Sequence, residues 1–286
     1  MTNRLLTTPT IIPFAAPAIL QEGFLAFVAE HDLHDLAANS STPIGKIANH
    51  VTVDVPKHTD AEILVEFAGR QCYRAWKSGR ETPEYIDNII GSMHGSVLAH
   101  AHFTFAISGV SRTLTHELIR HAAGVYISEE SQRYVDAEKV RFVIPPILLH
   151  MGDGDLECSE AEDWLADKMR SVVAYNRVQA EIEAMLEALP VDQAKKRSEI
   201  VKRANEAARA DLPNACETRL VWTVNARALR HIMMLRGDPA ADLEIKRFAT
   251  MLTPICKAMA PAFFNDIEVV ADEFGVDKVV GQYVKV

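Results

Sequence analysis

The stretch LVWTVNARALRHIMMLR, residues 220–236, changes its period in the middle, and that change decides the fold. LVWTV at 220–224 has the β-branched and aromatic composition of a strand. Asn225 can then cap a helix, and NARALRHIMMLR reads as that helix. On it, Arg227 and His231 stand at i and i+4 and share a face, while Met233, Met234 and Leu235 supply apolar packing.

Moving outward, HFTFAIS at 102–108 is a second strand, broken by Gly109. Ser111 caps a predicted helix in SRTLTHELIRHA, with Leu114, Leu118 and Ile119 on its apolar side and Gly124 at its end. KVRFVIPP at 139–146 reads as a strand stopped by two prolines, and VTVDV at 51–55 alternates as a strand does. Helices are predicted over 21–38, 60–76, 83–92, 159–189, 192–210 and about 239–260, and residues 1–20 read as an extended arm. Long helices with separated strands point to an α+β class rather than a regular βαβ alternation. There is no internal repeat and no low-complexity segment.

Composition narrows the function classes. The 286 residues suffice for one large domain or two small ones, and 48% hydrophobic with 24% charged content is ordinary for a globular protein. No apolar run approaches the roughly 20 residues that span a bilayer. The N-terminus carries no signal-peptide pattern, so a cytoplasmic protein is expected, with no membrane partner. Four scattered cysteines, Cys72, Cys158, Cys216 and Cys256, form no C-x-x-C pair and fit a reducing compartment. The net charge of −9 disfavours a nucleic-acid polymer as partner, although converging arginines can still hold a small anion.

The candidate chemistry lies in histidines, a serine and arginines. His94, His100, His102, His116 and His121 fall within 28 residues. His100 and His102 make an H-x-H pair, the basis of an alternative reading as a metal-dependent hydrolase. Residues 88–116 contain no acidic residue to complete such a site, so the expected metal set is none. Ser131 sits in E-E-S-Q-R without the elbow glycine of a hydrolase nucleophile, and suits binding an oxyanion better than attacking a carbonyl. No cysteine has an electropositive setting that would activate it. Arg120, Arg133, Arg209, Arg227 and Arg236 stand near expected element ends, each a surface charge on its own, together a possible phosphate pocket. Neither a G-x-G-x-x-G turn after a strand nor a Walker loop is present.

Taken in order, HGSVLAHAHFTFAISGVSRTLTHELIRH, SEESQRYV and LPNACETRLVWTVNARALRHIMMLR resemble the flavin-dependent thymidylate synthase (ThyX) family across roughly 60–260. The resemblance implies a ThyX-like α+β fold, a mixed sheet flanked by long helices, in a homotetramer with sites assembled between chains. It divides the chain into an N-terminal arm or extension over 1–58 and a catalytic domain over 59–286. It implies FAD held outside a Rossmann fold, NADPH as reductant and methylenetetrahydrofolate as one-carbon donor, with deoxyuridylate (dUMP) methylated at C5 to thymidylate (dTMP).

Position by position, the resemblance places His94, Ser96, Arg120, His121, Asn225, Arg227 and His231 on FAD. It places Glu117, Arg120, Ser131, Gln132, Arg133, Arg209 and Arg236 around the nucleotide. Arg236, Ser131 and Arg120 would act at the reacting base, with Arg236 stabilising the charge that grows along the uracil O4–C4–N3 edge. The chain also departs from the family pattern. Ala122 replaces an arginine, Glu117 a glutamine and Ala99 a glutamate, and Ala123 to Glu130 is one residue longer than the family's loop. These departures raise UMP or another uracil nucleotide as a variant substrate, and a non-catalytic nucleotide-binding relative as a further alternative.

Overall fold

A computed structural model of the protein describes residues 4–31, 44–45, 58–76, 79–137, 139–150, 158–190, 195–271 and 276–283. In chain order its elements begin with β1 (Leu5–Leu6), β2 (Thr10–Ala15), α1 (Gln21–Glu30), α2 (Asp60–Tyr73) and α3 (Thr82–Gly91). A 3-10 helix (Gly95–His100), β3 (His102–Ser111), α4 (Arg112–Leu118), β4 (Val125–Glu129), β5 (Phe142–Val143), α5 (Pro146–His150), α6 (Cys158–Glu187) and α7 (Arg197–Ala208) follow. After a 3-10 turn (Arg209–Asp211) come β6 (Glu217–Asn225), α8 (Ala226–Arg236), α9 (Leu243–Met259), α10 (Pro261–Phe264), β7 (Ile267–Ala271) and β8 (Asp277–Gly281). The content is mixed α+β, as the strand-to-helix change at residue 225 leads one to expect.

One sheet carries β2, β3, β6 and β4 in that order; β1 pairs with β5 in parallel, and β7 pairs with β8 as an antiparallel hairpin. Alternation explains the sheet: β3 buries Phe103, Phe105 and Ile107, and β6 buries Thr218, Leu220, Trp222 and Val224. Side chains between these positions face the other way by the two-residue period.

The chain divides into two compact units. The first comprises residues 1–10, 106–120 and 127–221, and its helical part is α6 packed on α7. Phe142, Leu165, Val172 and Cys216 form one buried cluster, and Ala137, Tyr175 and Ala208 a second. Each fully buried aromatic such as Phe142 contributes roughly 1.5–3 kcal/mol relative to exposure. Arg197, which opens α7, reaches back to Glu183 and Glu187 of α6.

The second unit comprises residues 11–105, 121–126 and 222–286. Thr59 and Glu62 cap α2 reciprocally, with Thr59 N donating to Glu62 Oε2 at 2.8 Å. Ile44, Ile63 and Trp76 pack with Phe24, Phe27 and Phe67. The fully buried Arg230 of α8 donates to both carboxylate oxygens of Asp266, at 2.7 and 2.8 Å, and to Tyr283 O at 3.3 Å. That arginine ties α8 to the start of the β7–β8 hairpin.

Several boundaries differ from the sequence expectations. The helix capped by Ser111 stops at Leu118, not at Gly124, which instead takes φ +72° in the turn before β4. Only Phe142–Val143 of 139–146 is strand, because Pro146 opens α5, where a missing N–H costs nothing. Helix α9 begins at Leu243 rather than 239, since the side chain of Asp242 accepts from Glu244 N at 2.9 Å and caps it there. The hairpin β7–β8 was not anticipated. The VTVDV strand and the second half of the 21–38 helix lie outside the described residues.

Candidate functional site

In the second unit the site is organised by the N-terminus of α8. Asn225 Oδ1 accepts from Ala228 N at 2.8 Å, the N-cap expected from the sequence. The backbone docks there too: Asn225 N donates to Gly124 O at 2.9 Å and Ala226 N to Ala101 O at 2.8 Å. The turn at 121–126 and the end of the 3-10 helix are therefore fixed against α8.

That docking brings distant residues together. Arg236, the last residue of α8, donates from Nε to Nε2 of His121 at 2.9 Å. The His231 ring lies edge-on to His121 with centroids 5.8 Å apart. Burial, followed by the Arg236 cation and His231, pushes the His121 pKa down to about 4, so its imidazole is neutral near pH 7. Arg227 and His231 are exposed one turn apart on α8. His94 and Ser96 are exposed on and beside the 3-10 helix, which packs against α8. Met93, just before His94, holds φ +59°, a rare conformation for a non-glycine residue.

In the first unit, Ser131 starts a turn. Its carbonyl accepts from Tyr134 N and Val135 N, and its Oγ from Arg133 N at 3.4 Å. Arg133 Nε stands 3.6 Å from Glu206 Oε1 of α7, and Asn205 of the same helix donates to Arg133 O at 3.4 Å. Asn205 is itself buried, accepting from Tyr175 Oη and Gln179 Nε2. Arg209 is exposed three residues beyond Glu206. Thus Ser131, Arg133 and α7 form one group.

Gln132 faces elsewhere. With Glu130, Arg112, Lys139, Arg141 and Arg219 it lines a pocket of about 200 Å³ whose walls include neither Ser131 nor Arg133. Residues 125–129 of the expected 123–130 loop form β4, whose last residue, Glu129, accepts from Thr115 Oγ1 at 2.9 Å and pairs with Arg112 at 3.3 Å, so the end of that strand is pinned to α4. Arg120 is exposed after α4, and Glu117 accepts from Arg120 N through its carbonyl. Ala122 is exposed.

The candidates thus sort by unit. The flavin set apart from Arg120, namely His94, Ser96, His121, Asn225, Arg227 and His231, falls within the second unit. The nucleotide set apart from Arg236, namely Glu117, Arg120, Ser131, Gln132, Arg133 and Arg209, falls within the first. Sequence reading missed Asn205 and Glu206, whose only signal was their place one turn before Arg209. Among the described residues no group of three His, Cys, Asp or Glu is arranged to hold a metal, and His100 and His102 are both exposed. Burial raises the thiol pKa of Cys216 to about 12 and that of Cys256 still further, leaving both unreactive near neutral pH.

Comparison with known proteins supplies the family. The chain is similar to a flavin-dependent thymidylate synthase of Mycobacterium sp. (strain KMS), 42% identical over 228 residues that cover 77% of this chain and 86% of the relative. It is 43% identical to that of Mycobacterium avium (strain 104), and 44% to that of Mycobacterium tuberculosis (strain ATCC 25177 / H37Ra), each over 223 residues covering 76% of this chain and 84% of the relative. Residues 54–262 match the model of the thymidylate synthase complementing protein family. The chain belongs to that family.

Proposed function

We propose that the chain is a flavin-dependent thymidylate synthase, a methyltransferase that converts dUMP to dTMP. The observation that carries this reading is the joining of His121, His231 and Arg236, with Arg236 lying 115 residues from His121, in a chain 42% identical to an enzyme of that name. The exposed guanidinium of Arg227 beside His231, with the Ser96 hydroxyl and His94, suits a cofactor that carries a pyrophosphate. Those residues, with His121, Asn225 and Arg120, would hold FAD. Bound there, the flavin supplies the redox chemistry that no side chain can.

The protein's own groups bind and orient the nucleotide. Arg133 and Arg209 hold its phosphate, Ser131 orients it, and Glu117 and Arg120 complete its site, while Gln132, expected there from the resemblance, lines the neighbouring pocket of Arg112 and Arg141 instead. Arg236 stabilises the negative charge that develops along O4–C4–N3 as C5 reacts. NADPH is the reductant and methylenetetrahydrofolate the one-carbon donor. The functional form is a cytoplasmic homotetramer, and the sheet face opposite Phe103, Phe105 and Trp222 offers it surface: Thr104 and Thr223 bond to each other there at 2.9 Å.

The test is product formation from dUMP and UMP side by side, with FAD, NADPH and methylenetetrahydrofolate present. Strict turnover of dUMP supports the proposal. Preferential turnover of UMP, the second reading raised by the longer 123–130 loop with Glu129 pinned to Arg112 and Thr115, would reassign the substrate. A protein that binds flavin yet methylates neither nucleotide would be the non-catalytic relative.

A further inference from the structure

The hydrogen bond between Arg236 Nε and His121 Nε2 determines how both side chains are used. An imidazole nitrogen that accepts a hydrogen bond carries no proton, so His121 is the neutral tautomer protonated at Nδ1. The groups that act on it electrostatically, Arg236 and His231, both belong to α8 and both disfavour a second proton. The acceptor is therefore present throughout the neutral range. A guanidinium is planar, so a bond at Nε sets the plane and heading of its Nη edge.

We propose that His121 is a positioning residue for Arg236: by taking the Nε–H it sets the direction in which the guanidinium edge meets the uracil ring. This rests on the thymidylate synthase reading and deepens it, since it gives His121 a duty distinct from flavin contact. The turn that carries His121 is itself held by Gly124 O on Asn225 N at 2.9 Å. The position of the imidazole relative to α8 is thus built into the backbone.

Two substitutions separate the acceptor from the bulk of the ring. His121→Phe keeps a ring and removes the acceptor, whereas His121→Gln places a carbonyl oxygen near the former Nε2. We expect His121→Phe to lower kcat about 10- to 100-fold, the scale of one hydrogen bond to a charged group, with little change in KM for the nucleotide. His121→Gln should recover kcat to within several-fold of the wild type. Flavin bound per chain, read by absorbance, reports the cofactor contact separately. A second readout needs no turnover: the 15N resonance of Arg236 Nε, assigned by its loss in Arg236→Lys, should move in His121→Phe and return toward its original position in His121→Gln.

An unshifted Arg236 Nε signal in His121→Phe would overturn the proposal, as would equal kcat for the Phe and Gln variants at equal flavin content. A wild-type protein that forms no thymidylate would instead defeat the activity assigned above, while the arginine resonance still decides the pairing.

Discussion

The side-chain amide of Asn225 occupies the space that a Cβ on Gly124 would need. Gly124 also holds φ +72°, so two independent constraints require glycine there. Gly124→Ala should cost more than the roughly 1–2 kcal/mol of a left-handed alanine, because the Asn225 cap must also move. A lowered chemical-denaturation midpoint and a fall in bound flavin are the expected results. An unchanged midpoint would show that the turn does not depend on this contact.

Acid should weaken the fold through His121. Its folded pKa of about 4 lies below the ordinary 6.5, so between these values the unfolded chain binds a proton that the folded chain refuses. Its stabilising contribution is complete above about pH 6.5 and is lost as pH falls toward 4. Denaturation midpoints at pH 7.5 and 5 should drop more in the wild type than in His121→Gln.

Truncating Arg236 should strike turnover rather than cofactor retention. Arg236→Ala is expected to reduce kcat roughly 100-fold or more, the scale for removing one transition-state donor, while flavin content stays near that of the wild type. Arg120→Ala, placed by resemblance on both ligands, should reduce both. Full activity in Arg236→Ala would disprove its assignment.

If Arg133 holds the nucleotide phosphate as proposed, Glu206 competes for that arginine, standing 3.6 Å away with both side chains about one third exposed. An ion pair so accessible to solvent is worth about 0.2–1 kcal/mol. Glu206→Gln should therefore tighten nucleotide binding by up to about fivefold in calorimetric titration. Weaker binding would indicate that Glu206 orients Arg133 rather than restraining it.

Glu66 and Arg70 form a fully buried pair at 2.7 Å, with Thr82 Oγ1 donating to the second Glu66 oxygen at 2.6 Å. Removing one partner leaves an uncompensated charge in the interior. Glu66→Ala should destabilise the protein by about 3–5 kcal/mol, read from equilibrium denaturation.

How much of this was legible depended on how far along the chain each cause lay. Ser111 and Asn225 announced their helices because a cap bonds three residues ahead: Ser111 Oγ accepts from Leu114 N at 3.2 Å, and Asn225 acts likewise on Ala228. Gly124 reads locally as a helix stop because its actual reason, the Asn225 side chain, lies about a hundred residues away in sequence at the cap of α8. Arg230 looks like any polar position of an amphipathic helix, and only Asp266 explains its burial. The pairing of His121 with Arg236 left no local trace in either segment. Motif order brought both residues into the candidate list, but not into contact.

The sorting of candidates between the two units has an evolutionary consequence. Under the proposed assignments, drift around Ser131, Arg133, Glu206 and Arg209 would alter the nucleotide set while leaving Ser96, Arg227 and His231 of the flavin set as they are. Changes at Arg227 or His231 of α8 would likewise leave Ser131 and Arg133 in place, with Arg236 the one α8 residue that belongs to the nucleotide set. The segment 123–130 is the exception, since 123–126 belong to the second unit and 127–130 to the first, so a change of length there falls on both sets at once.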